Sequence, residues 1–444
     1  MIENLFPLPL TPFERYMLAD DRREYPMTFV MQFDFQGSVK RGCWEAAFHD
    51  ALDRHPLLTS VVQGKRFWKP TSDRSLIVWL TVGDEIVPEG GEYMDLCQNA
   101  GVRVWMHEGD DQVRLTVQFH HACCDGIGAL QFFGDWFAAY HARWGSEDVE
   151  LVPLNPQALA QRGNARWKTD AAEPVSRWEG IKSLTFETLK FITRRLTPLR
   201  GDATHAENLF PGLLQHTFPV DVTRQLRQRA HQAGATLNDL MLRDLFATLA
   251  EWNGKVVHSK RWLQINMPTN LRGRGDRDLP AANVIGYALM ARRAKDCADE
   301  EDLLQDICAE TAAIRKWNLG QFFLDGLRRV QNIPGALSWF LSPLSCCATT
   351  VFSNLGDPTR HFYSNLSRVD GRLTTGELTL RTFQGNPPLR PLTKAVFLAT
   401  VYAGELTIIM RADDRALGRD NSHKLLKQFV NRLLRSAALA GSTA

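Results

Sequence analysis

Between Val113 and Phe119 the chain alternates strictly. Val113, Leu115, Val117 and Phe119 are apolar, while Arg114, Thr116 and Gln118 between them are polar. A period of two is the mark of a half-buried strand, and this one delivers the chain to His120. The period then changes: Ile127, Leu130, Phe133 and Phe137 recur at helical spacing, which predicts a helix over 126–140. Further strand-like runs occupy 28–35, 76–82 and 102–107. A helix over 40–55 carries Trp44, Ala47, Phe48, Ala51 and Leu52 on one face and stops before Pro56. Near the start, Thr11 is placed to cap a helix, Pro12 takes its first position and Glu14 completes a capping box.

The second half repeats this alternation of types. Helices are expected over 235–252, 301–317 and 422–439, and strands over 261–268, 394–402 and 405–412. The last two strands are joined through Ala403-Gly404, a hairpin signal. Interleaved strands and helices predict an α/β (α+β) protein. Its 444 residues exceed one ordinary core, so two lobes are expected: 1–155 and 206–444, joined by 156–205. The connecting segment holds a basic and aromatic helix at 178–196, read as a crossover packed on both lobes or as a membrane-surface or partner-docking element. The stretch 330–356 carries no charge but is broken by Pro334, Gly335 and Pro343. It reads as a buried wall or tunnel lining rather than a membrane span.

Charge removes one class of partner. With 52 basic and 50 acidic residues the net charge is +2, so nucleic acid is not the expected partner. The eight cysteines (Cys43, Cys97, Cys123, Cys124, Cys297, Cys308, Cys346 and Cys347) include no Cys-x-x-Cys and read as buried, reduced thiols of a cytoplasmic protein. The N-terminal segment lacks the basic and apolar regions of a secretory signal.

The candidate chemistry lies in His120-His121-Ala122-Cys123-Cys124-Asp125-Gly126, where the alternating strand gives way to the helix. A neutral imidazole can act as general base near neutral pH. Adjacent residues at a strand end point in opposite directions, so His120 and His121 cannot share one role. Asp125 begins the helix and could orient the loop through backbone hydrogen bonds or an arginine, for which Arg272 is a candidate. Gly126 would permit a tight turn. A structural histidine pair and a metal site are the competing readings, although consecutive residues rarely converge on one ion. Cys123 and Cys124 read as small buried thiols rather than nucleophiles. Asn238 and Asp239 read as helix-capping residues. Ser353 and Asn354 are candidates for oxyanion stabilisation, or else for a strand-end turn. There is no Gly-x-Ser-x-Gly, Ser-x-x-Lys or His-Glu-x-x-His.

The spacing His120-His121-x-x-x-Asp125-Gly126 resembles the His-His-x-x-x-Asp-Gly motif of the chloramphenicol-acetyltransferase-like superfamily. This group includes condensation domains, wax ester synthase/diacylglycerol acyltransferases, alcohol acetyltransferases and polyketide-associated acyltransferases. Leu10-Thr11-Pro12-Phe13-Glu14, Thr236-Leu237-Asn238-Asp239, Ser353-Asn354-Leu355-Gly356-Asp357-Pro358 and Tyr402-Ala403-Gly404-Glu405-Leu406 resemble further landmarks in the same order. Asp357 interrupts the third of these. The resemblance implies two similar lobes with a tunnel between them. It also implies His121 as general base, Asp125 as a salt-bridged structural partner within the catalytic motif, and Gly126 shaping the loop beside the donor channel. His120 falls on the substrate side as a packing or hydrogen-bonding residue, with Ser353 and Asn354 as weaker substrate-side candidates. The donor would be acyl-CoA or the acyl-phosphopantetheine of a carrier protein, the acceptor an alcohol or an amine. No other cofactor and no metal is implied.

Overall fold

A computed structural model describes residues 5–72, 74–81, 93–145, 149, 151–163, 194–202, 213–254, 261–362 and 366–441. The expected helix at 178–196 lies almost wholly outside the described residues.

The alternating segment forms the strand Gln112–His120. It pairs antiparallel with Thr28–Gln36, in a register that sets Thr28 opposite His120 and Phe29 opposite Phe119. Its other edge pairs with Val102–Glu108, which is followed by Ile77–Thr81. The apolar face of this sheet is covered by the helices Arg41–Arg54 and Gly126–Arg143. Between sheet and helices Phe33, Trp44, Phe119, Phe133, Trp136 and Phe137 are fully buried, in tilted, edge-to-face and stacked ring contacts. This aromatic layer fixes the start of the Gly126–Arg143 helix relative to the end of the Gln112–His120 strand.

The second sheet runs in the order Ile285–Arg293, Trp262–Asn270, Thr350–Gly356, Ala395–Tyr402, Glu405–Ala412, Leu213–Phe218. Its core packs Ile265, Phe352, Phe397 and Ile408 against Leu245 and Phe246 of the helix Leu237–Asn253 and Phe429 of the helix Arg419–Gly441. The hairpin signal at Ala403-Gly404 is a two-residue turn with φ of +49° and +85°, the doubly positive geometry that suits the twist of the flanking strands. Residues Arg368–Asn386 lie within 206–444 in sequence yet join the first sheet, where Leu378–Asn386 pairs with Thr28–Gln36. The second half thus completes the first sheet, and these strands tie the two lobes together.

Two expectations change. The charge-free stretch is not a buried wall along its length: Ile333, Trp339 and Leu344 are 60%, 79% and 88% exposed. Gly335, with φ of +75°, and the short helix Ala336–Phe340 carry it outward; Leu341 turns back into the interior, as do Ala348 and Thr349 just before the strand Thr350–Gly356. The cysteines also divide. Cys123, Cys124 and Cys297 are buried, but Cys97 is exposed and the others are half-buried. No described helix is long and apolar enough to cross a membrane.

Candidate active site

The end of the Gln112–His120 strand separates the two histidines by simple alternation. His121 lies on the same side as Phe119 and packs edge-on against Phe29, with centroids 5.2 Å apart, and against Phe13 at 5.9 Å. Its backbone N–H donates to the carbonyl of Met27 at 2.7 Å. His120 turns the other way and is fully buried. Its Nδ1 accepts from the Ala122 N–H at 3.1 Å, and its Nε2 stands 3.5 Å from Asp21 Oδ2. Asp21 also accepts from the Met27 N–H at 2.8 Å, so it braces the segment that holds His121. His120 is thus packed in the interior, with its Nδ1 hydrogen-bonded to the loop that follows it.

Asp125 is the cap of the Gly126–Arg143 helix, and its Oδ1 accepts from the Gly128 N–H at 2.8 Å. Arg272 meets it through both guanidinium nitrogens, Nη1 to Oδ2 at 2.8 Å and Nη2 to Oδ1 at 2.9 Å. The Val284 N–H donates a fourth bond at 2.8 Å. Such a bidentate pair is geometrically specific as well as strong. Side-chain exposures of 1% for Asp125 and 5% for Arg272 place the pair in the interior, where its partners depend on each other. The carboxylate thus accepts four hydrogen bonds from protein groups. It joins the first-half helix to the second-half segment following Trp262–Asn270.

The loop Ala281–Val284 is the counterpart on the second half. The Ala281 N–H donates to His55 Nδ1 at 2.8 Å, and the Ala282 carbonyl accepts from Arg272 Nη2 at 2.9 Å. Asn283 Nδ2 donates to the carbonyls of both His121 and Ala122 at 2.8 Å. Gly128 is packed so closely that a Cβ there would lie 2.9 Å from the Ala282 oxygen. Gly126 is different. Its φ is not in the left-handed region, and a Cβ would make only ordinary contacts of 3.5 Å with Leu355 and Met31. The turn therefore does not require glycine at 126; close approach requires it at 128.

Burial lowers the pKa of His121 below the usual histidine value, since desolvation disfavours the charged ring more than its own backbone, Asp125 and Asn283 favour it. A neutral imidazole is therefore available at neutral pH. Burial pushes the Cys123 and Cys124 thiols well up, which leaves them protonated and poorly nucleophilic. The His, Cys and Asp side chains of the motif do not converge: His120 faces Asp21, His121 faces Phe13 and Phe29, and Asp125 is held by Arg272.

Ser353 and Asn354 sit on Thr350–Gly356, whose pairing with Ala395–Tyr402 shifts register between Asn354 and Gly356. Asn354 Oδ1 accepts from the Gly356 N–H at 2.9 Å, and its Nδ2 donates to Asn238 Oδ1 at 3.1 Å. Its amide thus serves a strand-end turn and ties that turn to the Leu237–Asn253 helix. The helix itself is capped by Thr236, with Asp239 completing the capping box and Asn238 bonded outward to Asn354 and Met267. Leu355, next in the strand, closes on Gly126.

Three further residues matter here. Asp21 and Asn283 lacked any motif; the only signal at 283 was a lone amide in the apolar run Ala281-Ala282-Asn283-Val284-Ile285. His361 lies close enough to feel the charges of Arg272 and Asp125, and burial lowers its pKa. A small, partly open cleft is lined by Thr11, Phe13, Leu271, Asn283, Leu324 and Arg328 among others. It shares Phe13 and Asn283 with the surroundings of His121, but His121 is not among its walls.

No protein-family model matches the chain. In sequence it is 25% identical over 325 residues to the uncharacterized protein Rv2305 of Mycobacterium tuberculosis, covering 72% of each chain. It is 24% identical over 264 residues to a linear gramicidin synthase polypeptide of Brevibacillus parabrevis, covering 54% of this chain and 3% of that one. In structure it resembles the trichothecene 15-O-acetyltransferase of Fusarium sporotrichioides, with a TM-score of 0.73 at 13% identity, covering 96% of this chain and 94% of that one. It resembles the starter condensation domain of rhizomide synthetase, in complex with C8-CoA and Leu-SNAC, with a TM-score of 0.68 at 12% identity over 99% and 96%. The epimerization domain of the third module of tyrocidine synthetase B gives 0.65 at 16% identity over 98% and 97%. The chain thus has the mixed α/β fold shared by these acetyltransferase, condensation and epimerization domains.

Proposed function

We propose that this protein is an acyltransferase that moves an acyl group from a CoA or carrier-protein thioester to a hydroxyl acceptor. The observation that carries this reading is His121: a ring kept neutral by burial, at a strand end, on a loop clamped from both halves by Asp125, Arg272 and Asn283. In the reaction the acceptor oxygen attacks the thioester carbonyl carbon as His121 takes its proton. The C–S bond then breaks, and the departing sulfur receives the proton from the imidazolium. General-base assistance of this kind contributes roughly 10²–10⁴ in rate. Asp125 acts as a positioning residue through its arginine. Ser353, with Asn354 holding the turn, is the candidate donor to the developing oxyanion.

Two neighbours support an O-acyl product and a CoA donor, one named as a 15-O-acetyltransferase and the other bound to C8-CoA. A second reading, amide formation on carrier-bound substrates, draws on the similarity to a linear gramicidin synthase. Incubation of the purified protein with a panel of acyl-CoAs and acylated carrier proteins, each with an alcohol or an amine, separates the two. Thiol release is followed colorimetrically and the product mass is measured. Ester formation supports the first reading and exclusive amide formation the second. Tight binding of acyl thioesters without turnover in any combination contradicts both.

A further inference from the structure

We propose that Asn283 is a positioning residue that fixes the tautomer of His121, its Oδ1 accepting from Nδ1–H so that Nε2 is the atom that takes the acceptor's proton. The inference rests on the reading of His121 as the base.

Asn283 is 4% exposed, and its Nδ2 donates to the carbonyl oxygens of His121 and Ala122, both at 2.8 Å. An amide nitrogen has two donors and both are used. The reverse orientation would set an amide oxygen against two carbonyl oxygens, so the surrounding bonds fix which end is which. Oδ1 is then a buried acceptor, and among the described residues nothing donates to it. His121 Nδ1 is likewise buried without a hydrogen bond of good geometry. An orphaned acceptor and an orphaned ring nitrogen therefore occur on two residues already bonded to each other. Buried polar groups are rarely left so, because each carries the full cost of desolvation.

A proton on Nδ1 resolves both atoms at once. A neutral imidazole has one donor and one acceptor, and an Nδ1–H can serve Asn283 Oδ1 or the ring's own carbonyl. Both groups favour the protonated ring, in agreement with their acting as acceptors. The alternative, a proton on Nε2, would leave Nδ1 and Oδ1 facing the interior as two unpaired acceptors, and it would remove the base from the accessible nitrogen. Around the ring the titratable groups are Asp125 and His120, with Asp125 neutralised by Arg272. Phe13 and Phe29, which flank the ring, carry no charge. No charged group therefore competes with Asn283 for the Nδ1 side.

The test uses the full chain labelled with ¹⁵N histidine, with His121 assigned by comparison with His121→Gln. Long-range ¹H–¹⁵N spectra are recorded at about pH 8, where an ordinary histidine is neutral. The native ring is expected as the Nδ1–H tautomer. Asn283→Ala is expected to give mixed tautomers, with kcat down roughly tenfold and KM little changed, part of the rate that general-base catalysis supplies. Asn283→Asp keeps an acceptor. It should retain the Nδ1–H tautomer and move the acid limb of the kcat–pH profile above that of the native protein, because a carboxylate favours the charged ring. A purely structural Asn283 would change stability without moving tautomer or pH limb. An Nε2–H tautomer in the native protein overturns the proposal, as does an unchanged tautomer in Asn283→Ala. If the alanine variant does not fold, the native spectrum and the aspartate variant decide. Full turnover by His121→Ala would sink the base reading alone, and the native tautomer would still decide whether Asn283 sets it.

Discussion

Replacing Asp125 by alanine removes four hydrogen bonds at one point. The Gly128 and Val284 N–H groups lose their acceptor, and Arg272 loses both arms of its pair. The arginine is then left with the Ala282 carbonyl and a long contact to Asn270 in an interior where its side chain is 5% exposed. Breaking a buried pair from one side costs about 3–5 kcal/mol, chiefly because a charge stays behind without its partner. Loss of the helix cap accounts for about 1 kcal/mol of this. Urea unfolding followed by tryptophan fluorescence should show the midpoint fall accordingly. The Asp125→Ala/Arg272→Ala double variant separates the causes. It removes the stranded charge as well, so its loss should be smaller than the sum of the single losses, by about 1–3 kcal/mol. A single-variant loss below about 1 kcal/mol, or strict additivity in the cycle, refutes the clamp.

Three further outcomes follow from the same geometry. The acid limb of the kcat–pH profile should have its midpoint below about 6.5, because burial lowers the His121 pKa and the base stays unprotonated further into acid; a midpoint above that value contradicts the desolvated ring. Gly128→Ala should destabilise by about 1–3 kcal/mol, since the new Cβ would stand 2.9 Å from backbone oxygen, whereas Gly126→Ala, with contacts of 3.5 Å, should leave thermal stability nearly unchanged. Brief iodoacetamide treatment of the folded protein should label Cys97 ahead of Cys123 and Cys124, read by peptide mass; equal labelling would contradict their burial.

Much of the fold could be read from the sequence wherever a single period dominated. The strand Gln112–His120, the helix Gly126–Arg143 and the hairpin at Ala403-Gly404 follow from alternation, helical spacing and turn chemistry. The capping box at Thr11 and Glu14 is likewise local. What escaped was set by distant partners. Leu378–Asn386 has strand character, but nothing in its residues says that it crosses to pair with Thr28–Gln36. The helix Val220–Gln232 is mostly polar, with only Thr223, Leu226 and Ala230 fully buried, so its apolar stripe is too narrow to announce it. The uncharged run around Trp339 suggested burial on composition alone, and a left-handed glycine overrode that by steering the chain outward.

The site divides in the same way. The opposed directions of His120 and His121 follow from strand alternation, whereas Arg272 stands out as a partner for Asp125 only by its position after a strand; the structure has both. Glycine at 126 drew attention through the motif, although the close backbone approach occurs at Gly128. Asn283 was invisible because its meaning lies in bonds to residues about 160 positions earlier.

The central claim is that His121 takes the acceptor's proton, and its most direct test is a comparison of kcat for native protein and His121→Ala. The comparison uses whichever acyl thioester and acceptor the panel identifies, with circular dichroism confirming that the variant is folded. A loss of roughly 10²–10⁴ in kcat is expected. A folded His121→Ala protein that matches the native rate within about twofold contradicts it.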